Sequence, residues 1–484
     1  MGEQPSVSRG AGSGVLLVHG AHRRDVPVLP AVVAAAVLGV GSLLIARPLG
    51  YDAWAWMVWA RELLHGELQT AGGPAFKALP VIVAAPLTPF GDVAPMVWLA
   101  CMRVCALLSI LVAYRAGSRL GGTLAGAAAA GLIVVGPDVF RTAVFGSSEP
   151  LLVLLVLLAA DRYLAAAPRT AIVLLGVGGL VRPELWAIVA VLAVAMQVRE
   201  RRLDWIVVAA AVLPPAVWLG LARAGSGTAF NSIHAARAPA VCAGCALIVR
   251  AVVTVNEHTD ALGVLHRLTD AIVLPALALS VVGIVAAWRA RIIRPLVVAA
   301  VAIAWLGIVA VMAQRGYPGS RRYLAGPAAL LAVLAGAGLA VTVAAVHDRR
   351  GRLALAGAIA ILVLVAAFPT VRSNARLIST ARGEQRTKAD LRKAVTLAGG
   401  ARAVRAAGRP AVNPYMQTAL AWDLDTPLAD IQATWHSTRR APGWSPPAIV
   451  FRGPPHDAGP RPALPPRRPV HRIGRAGVWT IFRS

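Results

Sequence analysis

The amino-acid sequence predicts an α-helical multispan membrane protein of about 11 transmembrane helices with a small extracytoplasmic C-terminal α/β domain. Three observations predict this architecture. The chain has 484 residues, of which 57% are hydrophobic and only 14% are charged, a composition that is unusual for a soluble protein. Apolar runs close to the roughly 20 residues that a bilayer crossing needs recur along most of the chain. The last part is instead basic and rich in proline.

The apolar runs place every predicted span between residues 28 and 370. The spans are 28–46, 92–114, 120–137, 149–165, 170–181, 184–198, 205–222, 269–288, 295–313, 323–346 and 353–370. The stretch 78–90 is a candidate for a further half-span. No small-x-small cleavage site follows the first run, so we interpret that run as a retained span rather than a signal peptide.

The arginines in the short loops predict the orientation. They precede the first span and follow the second, sixth, eighth and tenth, and cytoplasmic loops are the ones that carry excess Lys and Arg. We therefore expect a multi-pass protein of the plasma membrane with three parts. Residues 1–27 form a cytoplasmic N-terminal segment, 28–371 the transmembrane domain, and 372–484 the extracytoplasmic C-terminal domain.

The C-terminal part carries 19 Lys and Arg against 6 Asp and Glu, half of the net charge of +26. Because long translocated domains escape the positive-inside bias, this charge does not indicate a nucleic-acid partner. It suits anionic lipid head groups or an anionic glycan. Its pattern predicts a helix over 384–398 and short strands within 409–425, at 448–451 and at 477–483.

The cysteines carry little information about function. Cys242 and Cys245 form a C-A-G-C motif in a large loop that is predicted to be external. A disulfide and a pair of free thiols both remain open there. A zinc site would need a second pair of ligands, and none is suitably spaced nearby.

Ionisable residues gather in the loops predicted to be external, and ionisable groups at membrane depth mark functional sites by default. Four loops supply Asp52, Lys77, Arg141, Glu149, Arg182, Glu184, Arg321 and Arg322. We therefore expect one cavity at the external lipid boundary, lined by a few acids and several cations.

Such a set of residues suits the displacement of a lipid phosphate from a sugar. Arg and Lys bind phosphate, and Arg does so with two parallel hydrogen bonds. A carboxylate can accept the proton of an attacking hydroxyl group. The tryptophans Trp54 and Trp56 could stack on sugar faces, although an aromatic belt at the membrane interface is the alternative interpretation.

Two motifs resemble the GT-C superfamily of multispan glycosyltransferases. They are "SSEPLLVLLVLLAADRYL" (147–164) and "GLVRPELWAI" (179–188), and they follow an acid placed after the first span. The superfamily includes protein O-mannosyltransferases, lipid A aminoarabinose transferases and mycobacterial arabinofuranosyltransferases. The resemblance covers about residues 28 to 346.

The resemblance implies a function and a catalytic residue. The donor would be a polyprenyl-phosphate-linked sugar, and an inverting transfer would move that sugar to a glycan, lipid or protein acceptor of the cell envelope at the external membrane face. Asp52 would be catalytic. Members of the superfamily often have two adjacent acids at this point, whereas this chain has Tyr51 before Asp52, so the use of a divalent metal stays open.

Structural interpretations compete with several of these roles. Asp52 could cap the helix 53–65. Glu149 could instead be placed at the start of a span because a negative charge interacts favourably with the N-terminal end of the helix dipole. Arg182 could extend to the interface, whereas Lys77 after two glycines and a proline suits a phosphate clamp. If Asp52 is only a cap, the catalytic acid would be Asp138 or Glu149.

Two other function classes also remain as alternatives. One is a transporter or flippase of lipid-linked envelope precursors, although no repeat is visible. The other is a non-catalytic scaffold for envelope assembly. Asp423 and Asp425 form a DxD motif, which we interpret as the end of a strand rather than as a metal site.

Overall fold

The computed structural model describes residues 28–230, 261–315, 317, 320–433, 448–455, 461, 462, 464 and 469–484. Most of these residues are helical. The first nine helices are α1 Val28–Gly41, α2 Tyr51–His65, α3 Ala78–Ala84, α4 Ala94–Val135, α5 Pro137–Val144, α6 Glu149–Leu164, α7 Pro168–Gly179, α8 Glu184–Glu200 and α9 Trp205–Ser226. The next eight are α10 Ala261–Ala271, α11 Leu274–Arg289, α12 Ile293–Gln314, α13 Ala325–Ala344, α14 Arg349–Ala375, α15 Leu377–Leu397, α16 Gly400–Ala406 and α17 Gln417–Leu424.

Each predicted span coincides with a helix, but the number that cross a membrane stays a prediction. Among the described residues, five helical stretches are long and apolar enough to cross a bilayer, namely Ala78–Val135, Trp205–Ser226, Ile293–Gln314, Arg321–Ala344 and Arg349–Leu397. Leu29–Leu44 and Leu274–Arg289 are apolar but shorter. Large apolar side chains such as Val191, Ile361 and Val365 are more than 60% exposed, as expected for helices that face lipid.

The two predicted spans at 92–114 and 120–137 are joined by a glycine turn inside α4. Gly121 and Gly122 have non-helical backbone angles, and Gly122 has a φ of 69°, which glycine adopts at little cost. A Cβ on Gly117 would lie 2.7 Å from the carbonyl oxygen of Ala125. The two halves of α4 therefore fold back on each other and pack closely.

Helix α13 lies at the centre of the transmembrane bundle. It packs against α4 and α11, and nearly all of its residues are buried. Gly338 and Gly283 face each other so closely that a Cβ on either would meet the backbone of the opposite helix. Small residues allow this backbone approach, which is how membrane helices commonly associate.

The C-terminal part is built on a five-stranded sheet. The strands are β1 Ala411–Val412, β2 Gln432–Ala433, β3 Ile449–Arg452, β4 His471–Ala476 and β5 Trp479–Arg483. Their order is β2-β1-β3-β5-β4. Strand β1 pairs in parallel with β2 and β3, whereas β5 pairs antiparallel with β3 and β4.

The strand prediction for 409–425 is largely wrong. Only Ala411–Val412 is a strand there, and most of the remainder forms α17. Asp423 lies in that helix and Asp425 ends it with a φ of 51°, so the DxD motif does not end a strand. The residues of α17 are almost all buried, and this burial on every side removes the alternation from which strand and helix are distinguished.

Helix α2 shares its hydrophobic core with the C-terminal part. Trp54, Trp56 and Trp59 pack in one cluster with Leu420, Phe451 and other residues of that part. The backbone amide of Arg47 also donates to Gln385 Oε1 at 2.9 Å. The first loop is therefore covered by the C-terminal part, which positions the helix that carries Asp52.

Candidate functional site

Glu149 is the centre of a buried ion-pair cluster. It is the first residue of α6, followed by Pro150, and proline is well tolerated in the first turn of a helix. Its side chain is only 1% exposed. Its Oε1 accepts hydrogen bonds from Lys77 Nζ at 3.3 Å, Arg182 Nη2 at 3.1 Å and Arg322 Nε at 3.2 Å. A buried carboxylate is stable only when it is paired in this way.

The three cations come from three different connections between helices. Lys77 directly precedes α3, and Arg182 lies in the tight turn between α7 and α8. Arg322 belongs to the short 3₁₀ helix Arg321–Leu324 before α13. The helices thus bring residues from distant points of the chain to one end of the bundle.

Lys77 is almost fully buried, with 7% of the residue exposed. Its ammonium also donates to Ser148 Oγ at 2.9 Å and lies 5.2 Å from the ring centre of Trp56. Burial lowers the pKa of Lys77 to about 8. The charge of Glu149 raises this pKa but has the smaller effect, and the charges of Arg182 and Arg322 lower it further. Lys77 is therefore a cation that can lose its proton just above neutral pH.

Asp52 is joined to this cluster through Arg322. Arg322 Nη2 donates to Asp52 Oδ2 at 2.5 Å, while Nε of the same guanidinium contacts Glu149. The side chains of Asp52 and Arg322 are 23% and 39% exposed. Of the two carboxylates, Asp52 is therefore the one that a reacting molecule can reach.

The interpretation of Asp52 as a helix cap is wrong. Helix α2 begins at Tyr51, its N-cap is Gly50, and no side chain caps it. Asp52 lies in the first turn, where a negative charge still interacts favourably with the helix dipole. Its carboxylate is instead held by Arg322, a contact that no local sequence pattern specifies.

The tryptophans do not occupy the positions expected for an interface belt. Trp54 is 8% exposed and Trp56 is fully buried. Trp56 packs edge-on against Trp98, and Trp54 packs against Trp422 of the C-terminal part. Neither ring faces lipid, because the C-terminal part covers the surface that the sequence predicted to be exposed.

Three predicted site residues lie outside the ion-pair cluster. Arg141 is exposed at the end of α5. Arg321 is half-buried and forms no ion pair within the described parts of the chain. Glu184 is buried at the start of α8, and neither carboxylate oxygen has a hydrogen-bond partner among the described residues.

The structure also adds residues that the sequence reasoning missed. The guanidinium of Arg182 lies over the ring of Tyr323, with 4.2 Å between Arg182 Cζ and the ring centre. Lys388 and Arg392 both pair with Asp423, at 2.5 and 2.9 Å. The spacing of four residues between these two cations was the available signal, since it places them on one helix face.

Some predictions fall outside what can be described. Cys242 and Cys245 lie in 231–260, and the side chain of Asp138 is also outside the described set. In the described parts of the chain, no group of three or more His, Cys, Asp and Glu lies close enough together to hold a metal ion. The need for a metal stays open.

Solved structures of similar fold include a protein bound to undecaprenyl phosphate and an oligosaccharyltransferase. ArnT from Cupriavidus metallidurans bound to undecaprenyl phosphate has a TM-score of 0.51 and 16% identity, and the match covers 94% of this chain and 97% of that one. The Archaeoglobus fulgidus oligosaccharyltransferase in complex with Zn and sulfate has a TM-score of 0.53 and 13% identity, covering 84% of this chain and 62% of that one.

A third similar structure is AglB from Archaeoglobus fulgidus in complex with an inhibitory peptide and a dolichol-phosphate. Its TM-score is 0.50 with 12% identity, over 84% of this chain and 64% of that one. No protein-family model and no curated protein matches the sequence. At these identities the likeness shows the fold alone.

Proposed function

We propose that this protein is an inverting glycosyltransferase that moves a sugar from a polyprenyl phosphate to a cell-envelope acceptor at the external membrane face. One observation carries the proposal. A partly exposed carboxylate, Asp52, is joined by Arg322 to a buried cluster of cations at one end of a bundle of apolar helices. The similar fold of a protein bound to undecaprenyl phosphate supports the choice of donor.

The charges of the cluster suit a phosphate. Lys77, Arg182 and Arg322 face two carboxylates, so one positive charge is left over. Both arginines and the lysine can form charge-assisted hydrogen bonds to phosphate oxygens. Because Arg322 is the most exposed of the three, it is the group that meets the donor phosphate first.

The transfer step needs Arg322 to change partners. In the ion pair, Asp52 Oδ2 already accepts a hydrogen bond from Arg322, so this oxygen is not free to accept the proton of the acceptor. The donor phosphate competes for the same guanidinium, and Asp52 is freed when Arg322 turns to the phosphate. Binding of the donor would thereby prepare the base.

The transfer is a displacement at the anomeric carbon of the donor sugar. The acceptor hydroxyl oxygen attacks the anomeric carbon and forms the new glycosidic bond, while its proton passes to Asp52. The bond between the anomeric carbon and the phosphate oxygen breaks, and the polyprenyl phosphate leaves with the electron pair. The cations stabilise the negative charge that develops on this leaving group.

The test is transfer by the purified protein in nanodiscs, supplied with a panel of polyprenyl-phosphate sugars and a membrane glycan extract. Release of polyprenyl phosphate and incorporation of sugar should both occur. Asp52→Asn should bind the donor and lower transfer by ~10²–10⁴-fold, the usual contribution of a positioned general base.

A matched control is Asp425→Asn. Asp425 also pairs with an arginine, Arg61, at 2.8 Å, and asparagine tolerates its left-handed backbone well. This variant should transfer sugar at the wild-type rate. In sealed proteoliposomes, movement of intact lipid-linked sugar across the bilayer without transfer would instead establish the flippase alternative and overturn the proposal.

A further inference from the structure

A polar cleft of about 820 Å³ lies beside the N-terminal end of α2. Gly50 and Tyr51, the two residues before Asp52, form one of its walls. The end of α5, the junction of α14 with α15, and Tyr415 form the others. One wall of the cleft is therefore formed by the residue that directly precedes the proposed base in α2.

The cleft is rich in positive charge. Arg141, Arg372 and Arg376 line it together with a single acid, Glu384. All three arginines are exposed, and none of them forms an ion pair within the described parts of the chain. Arg141 was predicted from the sequence as a site residue, and this cleft is where the structure places it.

Two of these arginines lie side by side and repel each other. Arg372 and Arg376 are four residues apart, and the backbone at Arg376 keeps helical angles. Like charges at this spacing lie next to each other on one helix face and destabilise the helix. An anion bound between them would offset that repulsion.

The remaining lining suits sugar rings. Tyr51, Phe145 and Tyr415 supply aromatic faces, and Asn374 and Thr380 supply hydrogen-bonding groups. Tyr415 is 46% exposed, so its ring is accessible from the cleft side. The aromatic faces can contact the C–H groups of a pyranose ring, and the amide and hydroxyl groups can form hydrogen bonds with its hydroxyl groups.

We propose that this cleft binds the acceptor, and that the acceptor is an anionic glycan whose carboxylate or phosphate groups contact Arg141, Arg372 and Arg376. The inference rests on the proposed function, since it places an acceptor hydroxyl next to Asp52. Guanidinium groups bind either anion through paired hydrogen bonds, so the experiment must separate the two.

Binding is measured without turnover on the purified protein in phosphatidylcholine nanodiscs. The probes are an oligogalacturonate, a glycerol-phosphate oligomer and a malto-oligosaccharide of matched length. At least one anionic probe should bind about tenfold or more tightly than the neutral one, and added salt should weaken the difference. The anionic probe that binds better identifies the acidic group of the acceptor.

The variant Arg372→Gln/Arg376→Gln should lose this preference, by about tenfold or more in affinity. Its control is Arg349→Gln/Arg350→Gln, which removes two arginines from the other end of α14 and should bind like the wild type. Equal binding of neutral and anionic probes would overturn the proposal. An equal loss of glycan affinity in both variants would also overturn the proposal. So would a result in which the only effect of the substitutions is weaker contact with nanodiscs of anionic phosphatidylglycerol.

The outcome is separable from that of the proposed function. Asp52→Asn should keep glycan binding and lose transfer. Donor cleavage without glycan binding would overturn the acceptor assignment alone. Glycan binding with no transfer from any polyprenyl-phosphate sugar would overturn the glycosyltransferase proposal and leave the cleft as a glycan-binding site.

Discussion

Arg322 donates from Nη2 to Asp52 Oδ2 at 2.5 Å, and the same side chain holds Glu149 through Nε at 3.2 Å. One guanidinium thus bridges a partly exposed carboxylate and a buried one. The buried carboxylate is fixed by three cations, whereas within the described parts of the chain Asp52 pairs with Arg322 alone. The exposed end of the bridge is therefore the end that a phosphate can displace.

The first prediction concerns Asp52→Ala. Because Asp52 does not cap α2, alanine should lower transfer as far as asparagine does, ~10²–10⁴-fold. Loss of the favourable charge in the first helical turn should cost only about 0.3–1 kcal/mol. Transfer rates and thermal unfolding in detergent would check this, and severe misfolding of the alanine variant alone would show that Asp52 is structural.

The second prediction concerns Glu149→Gln. Removal of this buried carboxylate takes away the partner that Lys77, Arg182 and Arg322 share. Breaking a buried ion pair from one side typically costs about 3–5 kcal/mol. The melting temperature in detergent should fall clearly, whereas the same change at the exposed Glu67 should leave it close to the wild-type value.

The third prediction is a pH dependence of phosphate binding. Lys77 holds its proton below its pKa of about 8, so the affinity for undecaprenyl phosphate should fall above that pH by up to about tenfold per pH unit. The second ionisation of the lipid phosphate has a pKa of about 6, so it is complete well below this pH range.

Binding of undecaprenyl phosphate between pH 7 and 10 would measure this effect. Lys77→Arg keeps the charge and should flatten the decline, whereas Lys393→Arg should leave it in place. A decline that is the same in all three proteins would assign the titration to another group.

The fourth prediction concerns stability and Glu62. Burial raises the pKa of Glu62 to about 7 from an ordinary 4.5, although the backbone amide of Gln69 and the charge of Arg61 act in the opposite direction. The folded state therefore binds this proton more tightly than the unfolded state. Stability is full below about pH 4.5, declines as the pH rises towards 7, and stays lowered above that.

Glu62→Gln should consequently stabilise the protein by about 1–3 kcal/mol at pH 7.5 and have little effect at pH 4.5. Thermal unfolding at both pH values would measure it. The exposed Glu67→Gln is the control and should change neither curve. A stabilisation of equal size at both pH values would exclude ionisation of Glu62 as the cause.

The fifth prediction is topological. A reporter fused after Ser484 should be active outside the cytoplasm, and one fused near Arg201 should be active inside. The reverse result for the C-terminal fusion would change the parity of the span number and place the Asp52 cluster on the cytoplasmic side.

The sequence by itself determined where the apolar helices lie and which loops carry charge. Apolar runs and basic loops are local properties, because each segment partitions between bilayer and water largely on its own composition. The same local reasoning placed Asp52, Lys77, Glu149, Arg182 and Arg322 in loops at one end of the bundle, and the structure brings these five residues together.

Only the tertiary structure decided which groups touch. The pairing of Arg322 with both carboxylates, the burial of Trp56 and the exclusion of Arg141 from the cluster depend on how the C-terminal part and the bundle pack. Strand β4 was missed for a related reason, since its residues are largely exposed and it is an edge strand held by backbone pairing with β5. Such contacts join residues far apart in the chain, and their free energy depends on the packed surroundings rather than on any local pattern.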